Sequence, residues 1–369
     1  MTNRRTFLGL GVATAALPPR LHAEDAADVR DGLPAWANQA IGAAVTRYRA
    51  WKGADETISF TFVTDIHSRL MEMPAQPNFA DSRFHVLFAE AAADRAGCDF
   101  LVDGGDHDYD NGVKSDDEAL ARMAVTEKVY RDYARRPVLF CLGNHDHGNY
   151  LGRKTRPISS ELFGETFNGL ADRHGFKLTF GANKSWGYFD VPGKKFRAIF
   201  CNTSDEAYYG MSAGQIAFVK QALESMPTGW AAAAFGHFCV FDEIGHWKQY
   251  QDGSAMKGKT AFIDMLQGFV KQRPNDLVGY FCGDSHFDNQ LEYKGVNWTI
   301  SQGYGGVGRD NLPWGARNLG WVRRDAEMLF ELVAVKPSAG EFRVFRVGKG
   351  GEGCDRTCCY LNVFPRPAK

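Results

Sequence analysis

The 369-residue chain has almost no net charge: 43 basic and 44 acidic residues leave a formal charge of −1. It also has no long run of Lys and Arg, whereas proteins that live on nucleic-acid phosphates usually carry a basic excess or a basic face. A general nucleic-acid binder is therefore disfavoured. A small anionic ligand needs only a local positive centre. The apolar segment near the start, Phe7 to Leu17, is shorter than the roughly 20 residues that a membrane-spanning helix requires. No internal repeat, low-complexity tract or obvious linker interrupts the sequence, and residues 30–350 read as one domain. Hydrophobic residues at 44% and charged residues at 24% are the mix of a packed globule rather than a disordered chain.

What is present is one event repeated five times. A short apolar run, β-rich and without charge, ends in a turn loaded with polar residues. Ile58 to Thr64 ends at Asp65-Ile66-His67, and Cys98 to Asp103 ends at Gly104-Gly105-Asp106. Pro137 to Leu142 ends at Gly143-Asn144-His145-Asp146, Trp230 to Phe235 at Gly236-His237, and Leu277 to Cys282 at Gly283-Asp284-Ser285-His286. Such runs predict strands buried on both faces. Helical stretches over 84–95, 117–134, 212–226 and 260–271 lie between several of them. In the third, Ser212 offers a cap, and Ile216, Val219, Leu223 and Met226 recur at helical spacing. Alternating strands and helices predict an α/β fold with ligands outside the carboxyl ends of the strands, where all five polar clusters fall. Between Ser185 and Asn202, and from Gln290 to Val347, strands follow one another more directly, which predicts a second, more antiparallel sheet packed on the first.

Each cluster taken singly is weak, because a lone His beside a strand is more often a satisfied polar residue than a ligand. Together they supply three carboxylates (Asp65, Asp106, Asp284), three imidazoles (His67, His237, His286) and the Asn144 amide. Carboxylate oxygen and imidazole nitrogen suit zinc, iron or manganese, whereas calcium wants oxygen alone. Two metals about 3.5–4 Å apart need one bridging carboxylate and a few private ligands each, and seven groups match that count.

These motifs resemble those of the calcineurin-like metallophosphoesterases: Asp65-X-His67, Gly105-Asp106, Gly143-Asn144-His145-Asp146, His237 after a small-residue strand, and Gly283-Asp284-X-His286. Order and spacing agree, with about forty residues between the first and second motifs and about forty more to the third. The resemblance spans roughly residues 57–290. It implies a four-layer α/β/β/α sandwich with a dinuclear site at one end and hydrolysis of a phosphate ester, monoester or diester. It further implies that Asp65, His67 and His286 hold one metal, that Asn144, His237 and Asp284 hold the other, and that Asp106 bridges. A hydroxide between the metals would attack phosphorus, His145 would act as general acid, and Asp146 would orient His145.

The sequence departs from the family pattern twice. The last motif usually reads Gly-His-X-His, and here its second residue is Asp284, which adds negative charge and favours manganese or iron over zinc, with zinc still possible. The position three residues after the bridging Asp, usually Asp, is Tyr109, although Asp108 and Asp110 flank it. Gly245-His246 lies in a polar loop and is not read as the last motif.

Three further segments bear on function. Asn3-Arg4-Arg5-Thr6-Phe7-Leu8, the apolar stretch to Leu17 and small Ala23 before Glu24-Asp25 describe a twin-arginine export signal over residues 1–23. Folded export by that machinery suits a protein loaded with metal beforehand and places it in the periplasm or outside the cell. The loop from Gly303 to Arg324 carries Tyr304, Arg309 and Arg317. Guanidinium suits phosphate, and an aromatic ring could stack on a base or sugar, though solvated surface arginines account for the same residues. Among eight cysteines, Cys141, Cys201 and Cys282 end apolar runs and read as small buried hydrophobes. Cys354, Cys358 and Cys359 crowd a C-terminal tail over 351–369, where a short-loop disulfide or an accessory metal clip is compatible with the spacing. Two other functions fit less well: a nuclease on polymeric nucleic acid, against which the neutral charge counts, and a binding protein with an idle metal site, against which the full ligand set counts.

Overall fold

The structure, a computed structural model, describes residues 33, 35–67, 82–107, 113, 115–148, 157–174, 176–205, 209–240, 257–285, 288–301, 303, 329–348 and 350–359. The elements below all belong to the compact unit formed by residues 34–369.

Two mixed sheets stack face to face between layers of helix. The first has six strands: β1 (Ile58–Val63), β2 (Phe100–Asp103), β3 (Val138–Phe140), β11 (Leu329–Lys336), β12 (Glu341–Gly348) and β13 (Arg356–Cys359), in the order β13-β12-β11-β1-β2-β3. The second has seven: β4 (Thr179–Phe180), β5 (Gly187–Asp190), β6 (Phe196–Phe200), β7 (Ala231–Phe235), β8 (Leu277–Cys282), β9 (Asn289–Tyr293) and β10 (Val296–Ile300), in the order β4-β5-β6-β7-β8-β10-β9. Helices α1 (Ala35–Lys52), α2 (Ser82–Ala96) and α3 (Asp116–Tyr133) accompany the first sheet. Helix α4 (Ser160–Phe167) follows β3, and α5 (Ala213–Glu224) and α6 (Lys259–Gln272) accompany the second sheet. This is the α/β/β/α sandwich.

The two-residue period of a strand explains why these runs lack polar alternation: both faces are buried. In β7, Ala231, Ala233 and Phe235 enter the core between the sheets with Phe60, Phe62, Phe100, Phe281 and Val333. Ala232 and Ala234 turn outward and meet α5 and α6 through Val219, Leu223, Phe262 and Leu266. Helix α5 starts where Ser212 predicted, its hydroxyl accepting from the Gln215 N–H at 3.2 Å, with Val219 and Leu223 buried. Helix α1 lays its buried face, Ile41, Val45 and Tyr48, over β11 and β12, with the Tyr48 ring edge-on to Phe345.

The second sheet is not composed as the sequence suggests. The strands between Gln290 and Val347 divide: β9 and β10 form a hairpin in the second sheet, while β11 and β12 cross to pair with β1 in the first. Lys294 and Gly295, both at positive φ (49° and 86°), close that hairpin with the backbone twist a two-residue turn requires. Strand β7 pairs with β6 on one side and β8 on the other, so both lie in the second sheet and not beside β1–β3. Apolar runs mark strands but do not say which sheet a strand joins, and Val333 and Val335 reach the inter-sheet core only beside Phe60 and Ile58. Residues 356–359, which the sequence places in a tail, form β13 on the edge of the first sheet. No helix among the described residues is long and apolar enough to cross a membrane.

Candidate metal centre

The ends of β1, β2 and β3 and those of β7 and β8 converge at one edge of the sandwich. Hydrogen bonds lock the turns to one another. The Asp65 N–H donates to Gly105 O at 2.8 Å, and the His67 N–H to Asp106 O at 2.9 Å. The His145 N–H donates to Asp106 Oδ1 at 2.8 Å, and the Asp284 N–H to Asp65 Oδ2 at 3.0 Å. Thus Asp284, at the end of the second sheet, is fixed directly on a candidate ligand from the first.

The backbone is strained where the candidate ligands sit. Six non-glycine residues among those described have positive φ, and four are Asp65 (53°), His67 (49°), Asp106 (54°) and Asp284 (64°). Such conformations cost on the order of 1–3 kcal/mol each and persist only where surrounding structure imposes them. Close approach of the turns demands glycine beside them. A Cβ on Gly105 would lie 2.7 Å from His237 Nδ1, and one on Gly143 would collide with Asp106.

The side chains form two groups that share one carboxylate. Atoms of His67, Asp106 and His145 lie within 4.8 Å of one another, as do atoms of Asp65, Asp106 and His237. His237 Nδ1 faces Gly104 O at 2.8 Å, which holds a proton on that nitrogen and leaves Nε2, on the inward side, as the nitrogen a metal would take. Nε2 then lies 3.2 Å from Asp106 Oδ2, 3.2 Å from Asn144 Oδ1 and 3.8 Å from Asp284 Oδ1. His67 Nε2 is 3.8 Å from Asp65 Oδ1 and 3.9 Å from Asp106 Oδ2, and His145 Nε2 is 3.9 Å from the same Oδ2. Imidazole nitrogen, carboxylate and amide oxygen, all acceptors, gather around Asp106 in a buried space. A donor set of that kind fits cations of the zinc, iron or manganese type.

Electrostatics agree with a crowded anionic pocket. Burial, reinforced by the Asp106 and Asp284 carboxylates, pushes Asp65 up to about 7 against the pull of His237. Burial also works to raise Asp106, but the His237, His145 and His67 imidazoles outweigh it and hold that carboxyl well below the usual range. Burial would lower His237, and the Asp106, Asp65 and Asp284 carboxylates raise it instead.

Asp65, His67, Asp106, Asn144, His145, His237 and Asp284 are therefore assembled in one place. His286, Tyr109 with its neighbours Asp108 and Asp110, Tyr304, Arg309, Arg317, Gly245-His246 and residues 1–23 lie outside the described residues. Asp146 has a role the sequence did not suggest. Its Oδ2 accepts from the N–H of Gly143 at 2.8 Å and of Asp106 at 2.9 Å, and its Oδ1 lies 3.4 Å from His107 Nδ1. It clamps the two turns that carry Asn144 and Asp106. A carboxylate one residue beyond His145 points back along the short 3₁₀ turn His145–His147 into the backbone it follows.

Two supports escaped the sequence reading. His107 is buried between Asp146 and Asp103, 3.8 Å from the latter's Oδ1, with its ring 4.6 Å from that of Phe167. Tyr130 donates to the other oxygen of Asp103. The sequence shows Asp103 ending the apolar run of β2 but carries no mark of its contact with His107. The end of β6 also reaches this edge: Thr203 Oγ1 accepts from the Phe238 N–H at 3.0 Å, next to His237. Asn202 is held by Ser160, Ser185 and Gln215.

Comparison with known proteins decides the family. The profile of the calcineurin-like phosphoesterases matches residues 58–322, well over half of the chain. The chain belongs to that family. This phosphoesterase is accordingly a phosphoric ester hydrolase, and the family depends on a dinuclear metal centre. Its fold resembles that of a dimetal phosphatase from Danio rerio, with a TM-score of 0.58 at 11% identity, over 82% of this chain and 99% of that one. A purple acid phosphatase from yellow lupin (Lupinus luteus) seeds aligns with a TM-score of 0.48 at 15% identity, over 80% of this chain and 52% of that one. No curated protein sequence matches the phosphoesterase.

The remaining cysteines take the bland role. Cys141, Cys201 and Cys282 are buried and unpaired by disulfide, with burial pushing the thiol of Cys201 up and those of Cys141 and Cys282 likewise. Cys354 lies in the short turn Gly351–Cys354 ahead of β13, and Cys358 Sγ meets the side-chain amide of Gln290.

Proposed function

We propose that the chain hydrolyses a small phosphate ester at a two-metal centre held by Asp65, His67, Asp106, Asn144, His237, Asp284 and His286. The observation that carries this reading is the concentration of backbone strain on Asp65, His67, Asp106 and Asp284. Strain held at four acidic or imidazole side chains that face one another suits a preorganised binding site rather than a folding requirement. Two bound transition-metal ions supply Lewis acidity and lower the pKa of water. The chain's own work is to hold them, with Asp106 shared between both, and to keep His237 Nε2 directed inward through Gly104.

His145 sits at the exposed rim of the cluster, more open than His237 or Asp106, and is proposed to give its proton to the leaving oxygen. A second reading has a specific observation behind it: His145 Nε2 groups with His67 and Asp106 at ligand distance, which would make it a metal ligand. Asp284 in place of the usual His adds an anionic oxygen and favours manganese or iron over zinc. Arg309, Arg317 and Tyr304 remain candidates for contact with the substrate. Export over residues 1–23 by the twin-arginine machinery, to the periplasm or beyond, is proposed from the Arg4-Arg5 motif. Cell fractionation with Arg4→Lys and Arg5→Lys combined would test it by retention inside.

The test of the activity is a panel of aryl phosphate monoesters and diesters, assayed after loading with manganese, iron or zinc. Turnover that appears with metal and vanishes with chelator is expected. No hydrolysis of any ester with any of the three metals would overturn the proposal.

A further inference from the structure

A second cluster of charge, buried at Glu331 and Arg346 and half-buried at Asp288 and Arg356, lies in the sandwich next to the segment that bears one of the ligands. Phe62 of β1, Glu331 of β11 and Arg346 of β12 stand side by side in register. Two residues along, Phe60, Val333 and Val344 occupy the same row of the inter-sheet core. By strand alternation, Glu331 and Arg346 face the interior as well, and both are buried. Glu331 Oε1 accepts from Arg346 Nη2 at 3.2 Å and from Arg356, while Oε2 accepts from the Ser301 hydroxyl. Arg346 Nη2 also donates to Asp288, and Arg356 Nη2 lies 3.8 Å from the same Asp288 oxygen. Two guanidinium groups and two carboxylates thus cancel in charge.

A buried ion cluster is weak evidence of a gain in stability. Replacing a buried ion cluster by apolar residues is often neutral or stabilising, and the surrounding rows show that aromatic and branched side chains fit this core. Among the described residues, Nε and Nη1 of Arg346 meet no acceptor, so Glu331 and Asp288 alone compensate its burial. What the cluster adds is direction. It grips both flanks of the β9–β10 excursion: Asp288, four residues after Asp284, and Ser301, whose N–H donates at 2.9 Å to Cys282 O just before Gly283-Asp284. Arg356 Nη1 donates to Ile300 O at 2.9 Å on the same flank.

We propose that Glu331, Arg346, Arg356 and Asp288 form a positioning device that sets Asp284, an inference that rests on reading Asp284 as a metal ligand. The strands β11, β12 and β13 then serve the site from behind, through contacts to the segment on either side of Asp284.

The experiment titrates Mn2+ into the full-length, chelator-stripped chain and records thermal melting of the metal-free protein alongside. Asp288→Asn and Arg346→Met should weaken one of two Mn2+ sites by about tenfold, the size of effect typical of groups that orient ligands, and leave the other unchanged. Arg346→Lys should recover part of the loss, since an ammonium can meet only some of the contacts of the planar fork. Arg47→Ala removes the guanidinium that reaches Arg346 O and Asp355 on the α1 side. It should lower the melting temperature without changing either affinity. Both affinities unchanged in Asp288→Asn, or both weakened equally, overturns the proposal. Asp288 is partly exposed, so that variant decides the matter even if Arg346→Met does not fold. A wild-type chain that binds fewer than two Mn2+ refutes the metal centre itself, and is seen before any variant is made.

Discussion

The two sheets contribute to the centre in different ways. The first delivers Asp65, His67, Asp106, Asn144 and His145 from three adjacent parallel strand ends, on turns that hydrogen-bond to one another and hold three strained residues. The second delivers His237, wholly buried and fixed by a carbonyl from the first sheet, and Asp284, nearer the rim at 7% exposure. The first half is a preformed cradle made of backbone. The second is two residues set from across the interface, the His237 ring by the Gly104 carbonyl and Asp284 through its backbone N–H on the Asp65 carboxylate. Metal held mostly by the first sheet should therefore be the more tenacious, and damage to the second should be selective.

The largest effect should come from the residue both halves share. Asp106→Ala removes the carboxylate facing His67, His145 and His237 together, and it should abolish turnover and release both metals, checked by elemental analysis of the folded protein. A variant retaining both metals would show that the halves do not meet at Asp106. Next, Asp284→Ala should release one metal and remove most activity, while Asp284→His should keep two and shift the preference towards zinc. Exchange of carboxylate for neutral imidazole raises the positive charge of the loaded site by one and softens one ligand. If the two variants behave alike and keep both metals, Asp284 is no ligand, and the second sheet contributes His237 alone.

His145→Ala should cut turnover by about 10²–10⁴, the usual range for a general acid, with metal content nearly unchanged. The loss should shrink for esters with very good leaving groups. Metal lost in step with activity would make His145 a ligand beside His67 and enlarge the first sheet's share. The smallest effect lies away from the centre. His85 on α2 is buried, and burial lowers it to about 3. Between that value and the ordinary 6.5 the unfolded chain binds the extra proton, so stability is present above pH 6.5 and is lost as pH falls. From pH 6.5 to 5 the loss is about 2 kcal/mol at roughly 1.4 kcal/mol per unit. Urea unfolding of His85→Leu at the two pH values should show that much less acid sensitivity. Equal sensitivity would place the acid-labile group elsewhere than in the helix layer of the first sheet.

Much of this was legible in the sequence because chemistry and topology coincide at strand ends. Apolar runs without alternation marked β1, β2, β3, β7 and β8, and the polar turn after each marked the site. Sheet membership was not legible: β11 and β12 look like further members of an antiparallel set, and only packing of Val333 and Phe342 against the β1 side of the core assigns them. His107 and Asp103 were missed because a buried Asp–His–Asp contact joins residues from two turns, and nothing local distinguishes it from a solvated acidic loop. Part of the role of Asp146 was out of reach for a related reason. Adjacency in sequence suggests service to His145, and only the 3₁₀ turn shows that its carboxylate also accepts from the N–H groups of Gly143 and Asp106.

The central claim is a pair of metals shared by the two sheets, and the most direct measurement is the metal-to-protein ratio of the purified chain after expression in supplemented medium. Hydrolysis of an activated phosphate ester is recorded on the same sample. Close to two transition-metal ions per chain, with activity that follows their removal and return, is the predicted result. Metal at trace level, with no hydrolysis restored by manganese, iron or zinc, would contradict it.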